Sequence, residues 1–378
     1  MKLPRFGVEE WLNTHEKQAI YDIAGVSISA LSLEELVDLT GDSVATVMAD
    51  FTQKPLDYGW IEGSPEFKAE VAKQYQHVQP EQVLQTNGAT GANLLALYAL
   101  IDPCDHVISL YPTYQQLYDI PRSLGAEVDY WTAREDLGWL PDIEELKGLI
   151  RPNTKMICLN NANNPFGTVM DETFLKEVVA IAAAVGAYVL VDEVYRSFDD
   201  SSKIPAIVDL YDKGISINSL SKAFSLPGLR VGWVASHLDI TDKLRDYRDY
   251  TMISAGVFDD YLASYALKHR EVILKRNQHI VHQNLAVLEE WLAQEPLAEA
   301  VLPAKTSTSF VKLHQKQPIE DFCKQLLAET GVLLVPGSRF DLEGYVRLGY
   351  CSDKATLEHG LKELSKFLHK MNKDTKIS

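Results

Sequence analysis

The chain is poor in cysteine. Cys104, Cys158, Cys323 and Cys351 are scattered through 378 residues, and no C-x-x-C pair occurs. That spacing excludes a disulfide framework and a cysteine metal site, and it fits a reducing cytoplasm. Long apolar runs are also missing. The longest apolar-plus-glycine run, Val178 to Val191, has 14 residues, too few to cross a bilayer. The start, MKLPRFGVEEWLNTHE, has no apolar h-region and does not read as a signal peptide. Positive charge is scarce: 36 basic residues face 53 acidic ones, a net charge of −17. Such a surface argues against nucleic acid as a partner. No G-x-G-x-x-G follows a strand pattern, which leaves a dinucleotide fold unsupported. Repeats, low-complexity tracts and Gly/Ser linkers are absent too.

What is present is a globular composition, 46% apolar. Short β-rich segments are expected at 82–86, 106–110, 127–131, 155–160, 188–192, 215–218 and 230–235. Helical patterns separate several of them, Glu172–Ala184 among these. This alternation implies an α/β layer with a mostly parallel sheet. From about Asp239 to Gln294 the pattern is helical. Strands at 309–313, 332–335 and 345–348 and helices at 319–329 and 354–370 then suggest a smaller α+β domain. The expected division is an N-terminal segment 1–45 contributing to the small domain and the substrate entrance, a large domain 46–275 and a C-terminal small domain 276–378.

Several segments carry chemistry. In NSLSKAFSLPGLRVGW, Lys222 follows Ser219 and Ser221 and precedes Arg230. A lysine becomes a nucleophile when burial and nearby positive charge lower its pKa, and a guanidinium suits bidentate grip on phosphate. VLVDEVYRSF ends an apolar strand on Asp192, with Tyr195 three residues on. A carboxylate there is costly to bury without a cationic partner, and strand ends are where ligands bind in α/β sheets. TNGATGANLLALYAL reads as strand, turn and helix, placing Gly88, Ala89 and Thr90 where free N–H groups attract phosphate. NNANNPFG holds Asn164 in an Asn-Pro turn, YPTYQQLY holds Tyr114, YGWIEGSPEF holds Tyr58, and GYVRLGY holds Arg347.

In this order, from Tyr58 to Arg347, the segments resemble those of fold-type I pyridoxal-phosphate aminotransferases, the class I/II family. The resemblance implies an aspartate-aminotransferase-like fold and pyridoxal 5′-phosphate as cofactor, which makes the large domain 46–275 the cofactor-binding one. It implies a ping-pong transfer of an amino group between an amino acid and a 2-oxo acid through a Lys222 Schiff base. Lys222 is then also the base that moves the α-proton. Asp192 pairs with the pyridine nitrogen, and Tyr195 and Asn164 touch the phenolic oxygen. Tyr114 stacks on the ring. Gly88, Ala89, Thr90, Ser219, Ser221 and Arg230 hold the phosphate, joined by Tyr58 from the partner subunit of a homodimer with shared active sites. Arg347 grips the substrate α-carboxylate, with Arg339 in PGSRF a nearby competitor. No metal is implied.

Three departures from the family pattern stand out. Relative to NPxNPTG, Ala162 replaces the first proline and Phe166 the threonine, which bears on the pocket near Phe166. The Asn164–Pro165 bond is expected to be cis. At Ile253–Phe258, where dicarboxylate-specific relatives bring a second arginine from the partner, this chain has ISAGVF, which disfavours aspartate and glutamate. Before Tyr58, IYDIAGVSISALSLEEL bears a faint resemblance to capreomycidine-synthase-like members. The same site parts also support a C–S β-lyase, a decarboxylase or a cyclase. A non-enzymatic regulator is a further class, disfavoured by the retained Lys222 and the acidic charge.

Overall fold

A computed structural model describes residues 2–49, 51–196, 204–304 and 306–374. Eight strands form a mixed sheet. In spatial order they are Val83–Asn87, Val231–Ser236, Gly214–Ser219, Tyr188–Asp192, Thr154–Asn160, His106–Tyr111, Glu127–Arg134 and Leu140–Pro141. The run from Gly214–Ser219 to Glu127–Arg134 is parallel, and Val231–Ser236 runs antiparallel to both its neighbours. Parallel strands of this kind are buried on both faces, which is why they read as near-continuous apolar runs. In the Val178–Val191 run, the helix Glu172–Val185 stops at Gly186, whose φ of 70° makes the left-handed cap, and the strand Tyr188–Asp192 follows.

A four-stranded antiparallel sheet, ordered Ala298–Ala300, Thr308–Leu313, Tyr345–Gly349 and Val335–Pro336, packs with the helices Ile319–Thr330 and Lys354–Asp374. The N-terminal segment is stitched to this part of the molecule. Tyr21–Asp22 pairs in parallel with Val332–Leu333, and the Trp11 indole donates to the Leu334 carbonyl at 2.8 Å. The stretch 332–335, expected as one strand, therefore divides at Leu334 between two sheets. The helical stretch 239–294 is three helices, Leu238–Arg248, Val257–Lys268 and Arg270–Gln294. The expected boundary at 275 lies inside the last of these.

The larger of two apolar cores joins the eight-stranded and four-stranded sheets, and a second fills the other face of the eight-stranded sheet. Phe166 sits in the larger core, stacked 4.2 Å from Trp139 and edge-on to Phe310. The departure at Phe166 thus joins the large sheet's Asn-Pro turn to the small sheet and leaves the ligand cavity alone. The Asn164–Pro165 peptide is cis. Among the described residues no helix is long and apolar enough to cross a membrane.

Candidate active site

The carboxyl ends of the central strands converge on a cavity of about 590 Å³. Asn160 and Asp192 are register partners at two of these ends, and Ser219 closes a third. The edge strand Val83–Asn87 delivers the chain into the helix Gly88–Leu100, whose first N–H groups have no intrahelical partner. Ala89, Thr90, Tyr114, Asn164, Asp192, Tyr195, Ser219, Ser221, Lys222, Arg230 and Arg347 all line this one space. Residues drawn from six separate sequence segments meet there; all but Arg347, which lies within the strand Tyr345–Gly349, sit at a strand end or in the turn beside one.

The helix start and Arg230 form one cradle. A Cβ at Gly88 would lie 2.7 Å from Arg230 Nη2, and one at Gly232 would lie 2.4 Å from the Gly88 carbonyl carbon. Both glycines are needed for the loop, the strand and the guanidinium to approach so closely. Arg230 itself takes a left-handed φ of 52° and has no carboxylate partner among the described residues. The Ser219 and Ser221 side chains face the same place. A guanidinium, hydroxyls and a helix N-terminus make a site for a dianionic phosphate.

Deeper in the cavity, Asp192 is buried. Its Oδ2 accepts from Asn93 Nδ2 at 2.9 Å and its Oδ1 from the Val194 N–H at 3.3 Å. Burial pushes its pKa up, while these two donors and the Lys222 charge pull the other way. A protonated ring nitrogen would satisfy this carboxylate. Lys222 Nζ donates to Ser27 Oγ at 3.3 Å. Burial, then the positive charge of Arg347, brings its pKa down to about 8. Tyr195 is buried, which raises its phenol pKa, and Arg347 opposes the rise. Burial likewise pushes Tyr114 up to about 12.

Arg347, only 2% exposed, donates from Nη1 to Asn164 Oδ1 at 3.2 Å and from Nη2 to the Ala24 carbonyl at 3.1 Å. Its Nε has no hydrogen-bond partner among the described residues. The competitor Arg339 turns away, pairing with Glu10 and Glu320. Asn160 shapes the turn, accepting from the Asn164 N–H at 2.7 Å and donating to the Asp192 carbonyl at 2.9 Å.

Tyr58 is not brought into this cavity by its own chain. It is 79% exposed, amid exposed Leu56, Trp60 and Ile61. This segment runs beside 253–258, the Ala255 N–H donating to the Trp60 carbonyl at 3.0 Å.

Sequence reasoning missed Asn93, Asn160, Ser27 and the whole N-terminal helix Gly7–His15, which walls the cavity with Val8, Glu9 and Leu12. The signal for Asn93 was present: an amide inside the apolar run GANLLALYAL has to have a buried partner. For the N-terminal helix no motif existed to read.

The model of the family described as aminotransferase class I and II matches residues 34–364. The chain belongs to the class I and II aminotransferases. It is a transaminase that uses pyridoxal 5′-phosphate, on the aspartate-aminotransferase fold. A crystal structure of a PLP-dependent aminotransferase from Streptococcus suis is 63% identical. It covers 98% of this chain and 99% of that one, with a TM-score of 0.96. The capreomycidine synthase of Streptomyces vinaceus is 29% identical over 97% of this chain and 94% of its own length. The aspartate aminotransferase of Thermotoga maritima is 30% identical over 77% of each chain. In this aminotransferase the donor set fits its cofactor: an unpaired guanidinium at a helix N-terminus, a buried carboxylate short of a cation, and a lysine between them.

Proposed function

We propose that Gly88, Ala89, Thr90, Ser219, Ser221 and Arg230 hold the phosphate of pyridoxal 5′-phosphate. Asp192 meets its ring nitrogen, Asn164 and Tyr195 its phenolic oxygen, and Tyr114 its ring face. Bound there, the cofactor supplies an aldehyde for the incoming amino group and a ring that takes up the electrons left when the α-proton departs. Arg347 fixes the α-carboxylate. Its planar guanidinium, which lines the cavity, suits a planar anion better than lysine would. Lys222, lowered to about 8, removes the proton from the substrate Cα. Burial raises the Asp192 pKa, so a cation opposite it is favoured, and the carboxylate would help keep the ring nitrogen protonated.

The observation that carries this reading is the shared cavity of Lys222, Asp192 and Arg347. The division into a large unit, 46–275, and a small unit, 276–378, joined by 1–45, is supported by the two separate sheets. A homodimer with Tyr58 entering the partner's site is supported by the exposed apolar surface around Tyr58, since a patch of this kind usually marks an interface. Four free thiols support a cytoplasmic setting.

The test is an absorption spectrum of the holoenzyme before and after single amino acids, with Lys222→Ala beside it. Loss of the visible band with growth of a near-ultraviolet pyridoxamine-type band is expected, and only when Lys222 is present. A second reading, ring closure or elimination on the substrate side chain, is favoured by the near-full-length similarity to a capreomycidine synthase. It predicts a visible band that persists while a cyclic product, or ammonia with an oxo acid, accumulates.

A further inference from the structure

The charges that face the cavity do not balance once the cofactor and an α-amino acid are accounted for. Arg230 answers the phosphate, Asp192 the ring nitrogen and Arg347 the α-carboxylate. Two carboxylates remain, and both belong to the N-terminal helix segment. Glu9 lines the cavity, and Glu16 lines it two turns on. With Asn13 they fall on one helical face, at i, i+4 and i+7. Glu9 is half-buried and has no hydrogen bond or ion pair among the described residues. It lines the same space as Lys222, Arg347 and Tyr114.

Its neighbour Glu10 is different. It points the other way and is bound by Arg5 and Arg339. The helix is therefore anchored through one acid and presents the other. The anchoring is firm: the Gly7 N–H donates to Gln115 Oε1 at 2.8 Å, Phe6 packs 5.0 Å from Tyr114, and Trp11 reaches the Leu334 carbonyl. Between Glu9 and Asn13 the same face carries Leu12, with Val8 beside it. An apolar wall ending in unpaired carboxylates suits a side chain with a methylene stem and a positive tip. Among the described residues no cation other than Lys222, Arg230 and Arg347 lines the cavity to receive a second carboxylate.

We propose that Glu9, helped by Asn13 and Glu16, is a subsite for the cationic end of the substrate side chain, so that the amino donor carries a guanidinium or ammonium group there. This rests on the aminotransferase reading above. A charge-assisted contact to a carboxylate also discriminates strongly against neutral and acidic side chains, which leave Glu9 unpaired or repelled.

The experiment titrates the holoenzyme with L-arginine, L-ornithine, L-leucine and L-aspartate, reading dissociation constants by spectrum and by calorimetry. Arginine or ornithine is expected to bind at least about tenfold tighter than leucine or aspartate. Glu9→Gln should lower that ratio by about tenfold, and Glu9→Lys should turn it toward aspartate. Glu10→Gln, on the anchoring face, should leave the ratio where it was. Equal binding of all four, or a Glu9→Gln variant that weakens arginine and leucine alike, overturns the subsite. A holoenzyme that forms the pyridoxamine-type band with leucine or aspartate but shows no preference for the basic amino acids overturns the subsite and leaves the aminotransferase reading intact. Tight arginine binding that depends on Glu9 without any such band upholds the subsite and removes transamination.

Discussion

Asn93 Nδ2 donates to Asp192 Oδ2 at 2.9 Å, and both groups are buried. This contact ties the helix Gly88–Leu100, which starts beside Arg230, to the buried carboxylate at the end of the strand Tyr188–Asp192. Burial already pushes Asp192 toward its neutral form, and Asn93 is the first force against it.

Replacing Asn93 by leucine leaves that oxygen without its donor, at a cost of about 1–3 kcal/mol. We expect kcat/KM to fall about 5- to 150-fold and the acid limb of the pH–rate profile to move to higher pH. Asp192 then ionises later, so activity is lost earlier as pH falls. A change in amount of folded protein with an unmoved profile would make Asn93 merely structural.

Lys222, at about 8, is neutral in roughly a tenth of molecules at pH 7, against about one in 3,000 for an ordinary lysine. Capture of pyridoxal 5′-phosphate by the apoenzyme should therefore speed up about tenfold per pH unit below 8 and level off above. Arg347→Gln removes a positive charge from beside Lys222 and should move that midpoint upward. The linkage has a definite sign. The folded pKa lies below the unfolded one, so the unfolded chain binds more protons between them. Apoprotein stability attributable to Lys222 accordingly rises with pH from about 8 toward the ordinary lysine range. Stopped-flow absorbance and denaturant titrations at several pH values check the two halves.

Gly232→Ala sets a methyl 2.4 Å from the Gly88 carbonyl carbon and 2.6 Å from the Ala89 nitrogen. Backbone lies on both sides, so the cradle itself has to move. Overpacking of this kind costs about 1–3 kcal/mol. The expected result is cofactor affinity weakened by about tenfold or more, measured by equilibrium dialysis, with the fold retained by circular dichroism.

Tyr58 gives a test of shared sites. Tyr58→Ala and Lys222→Ala proteins should each be nearly inactive. After mixing and subunit exchange, hybrid dimers regain one intact site, and activity should rise to about a quarter of the unmutated enzyme. No recovery, with exchange confirmed by mass, would rule out a Tyr58 that works across the dimer.

Much of this site was legible because cofactor chemistry needs fixed residue types at strand ends, and strand ends follow readable apolar runs. Lys222, Asp192, Tyr195 and Arg230 were singled out because their segments resemble those of the class I/II aminotransferases, and the structure brings them into one cavity. Local pattern failed where tertiary pairing decides. The run 332–335 reads as a single strand, yet the indole of Trp11, more than 300 residues earlier, takes the Leu334 carbonyl and divides it. Helix 270–294 has one unbroken pattern across an expected domain boundary, because periodicity records a continuous helix and says nothing of which layer each end serves. Glu9 was invisible for a simpler reason: an acid in the first turn of a helix is ordinary, and only its position against the cavity separates it from Glu10.

The family match begins at residue 34, whereas the helix bearing Glu9 spans Gly7–His15. On the proposed reading, the lysine, the phosphate cradle and the wall that meets the substrate's far end therefore occupy separate stretches of chain. Nine residues, docked by an indole, an aromatic contact and one amide, can be exchanged without touching the lysine, the phosphate cradle or the ring partner. In this architecture an enzyme changes its diet by rewriting its first helix while its reaction stays the same.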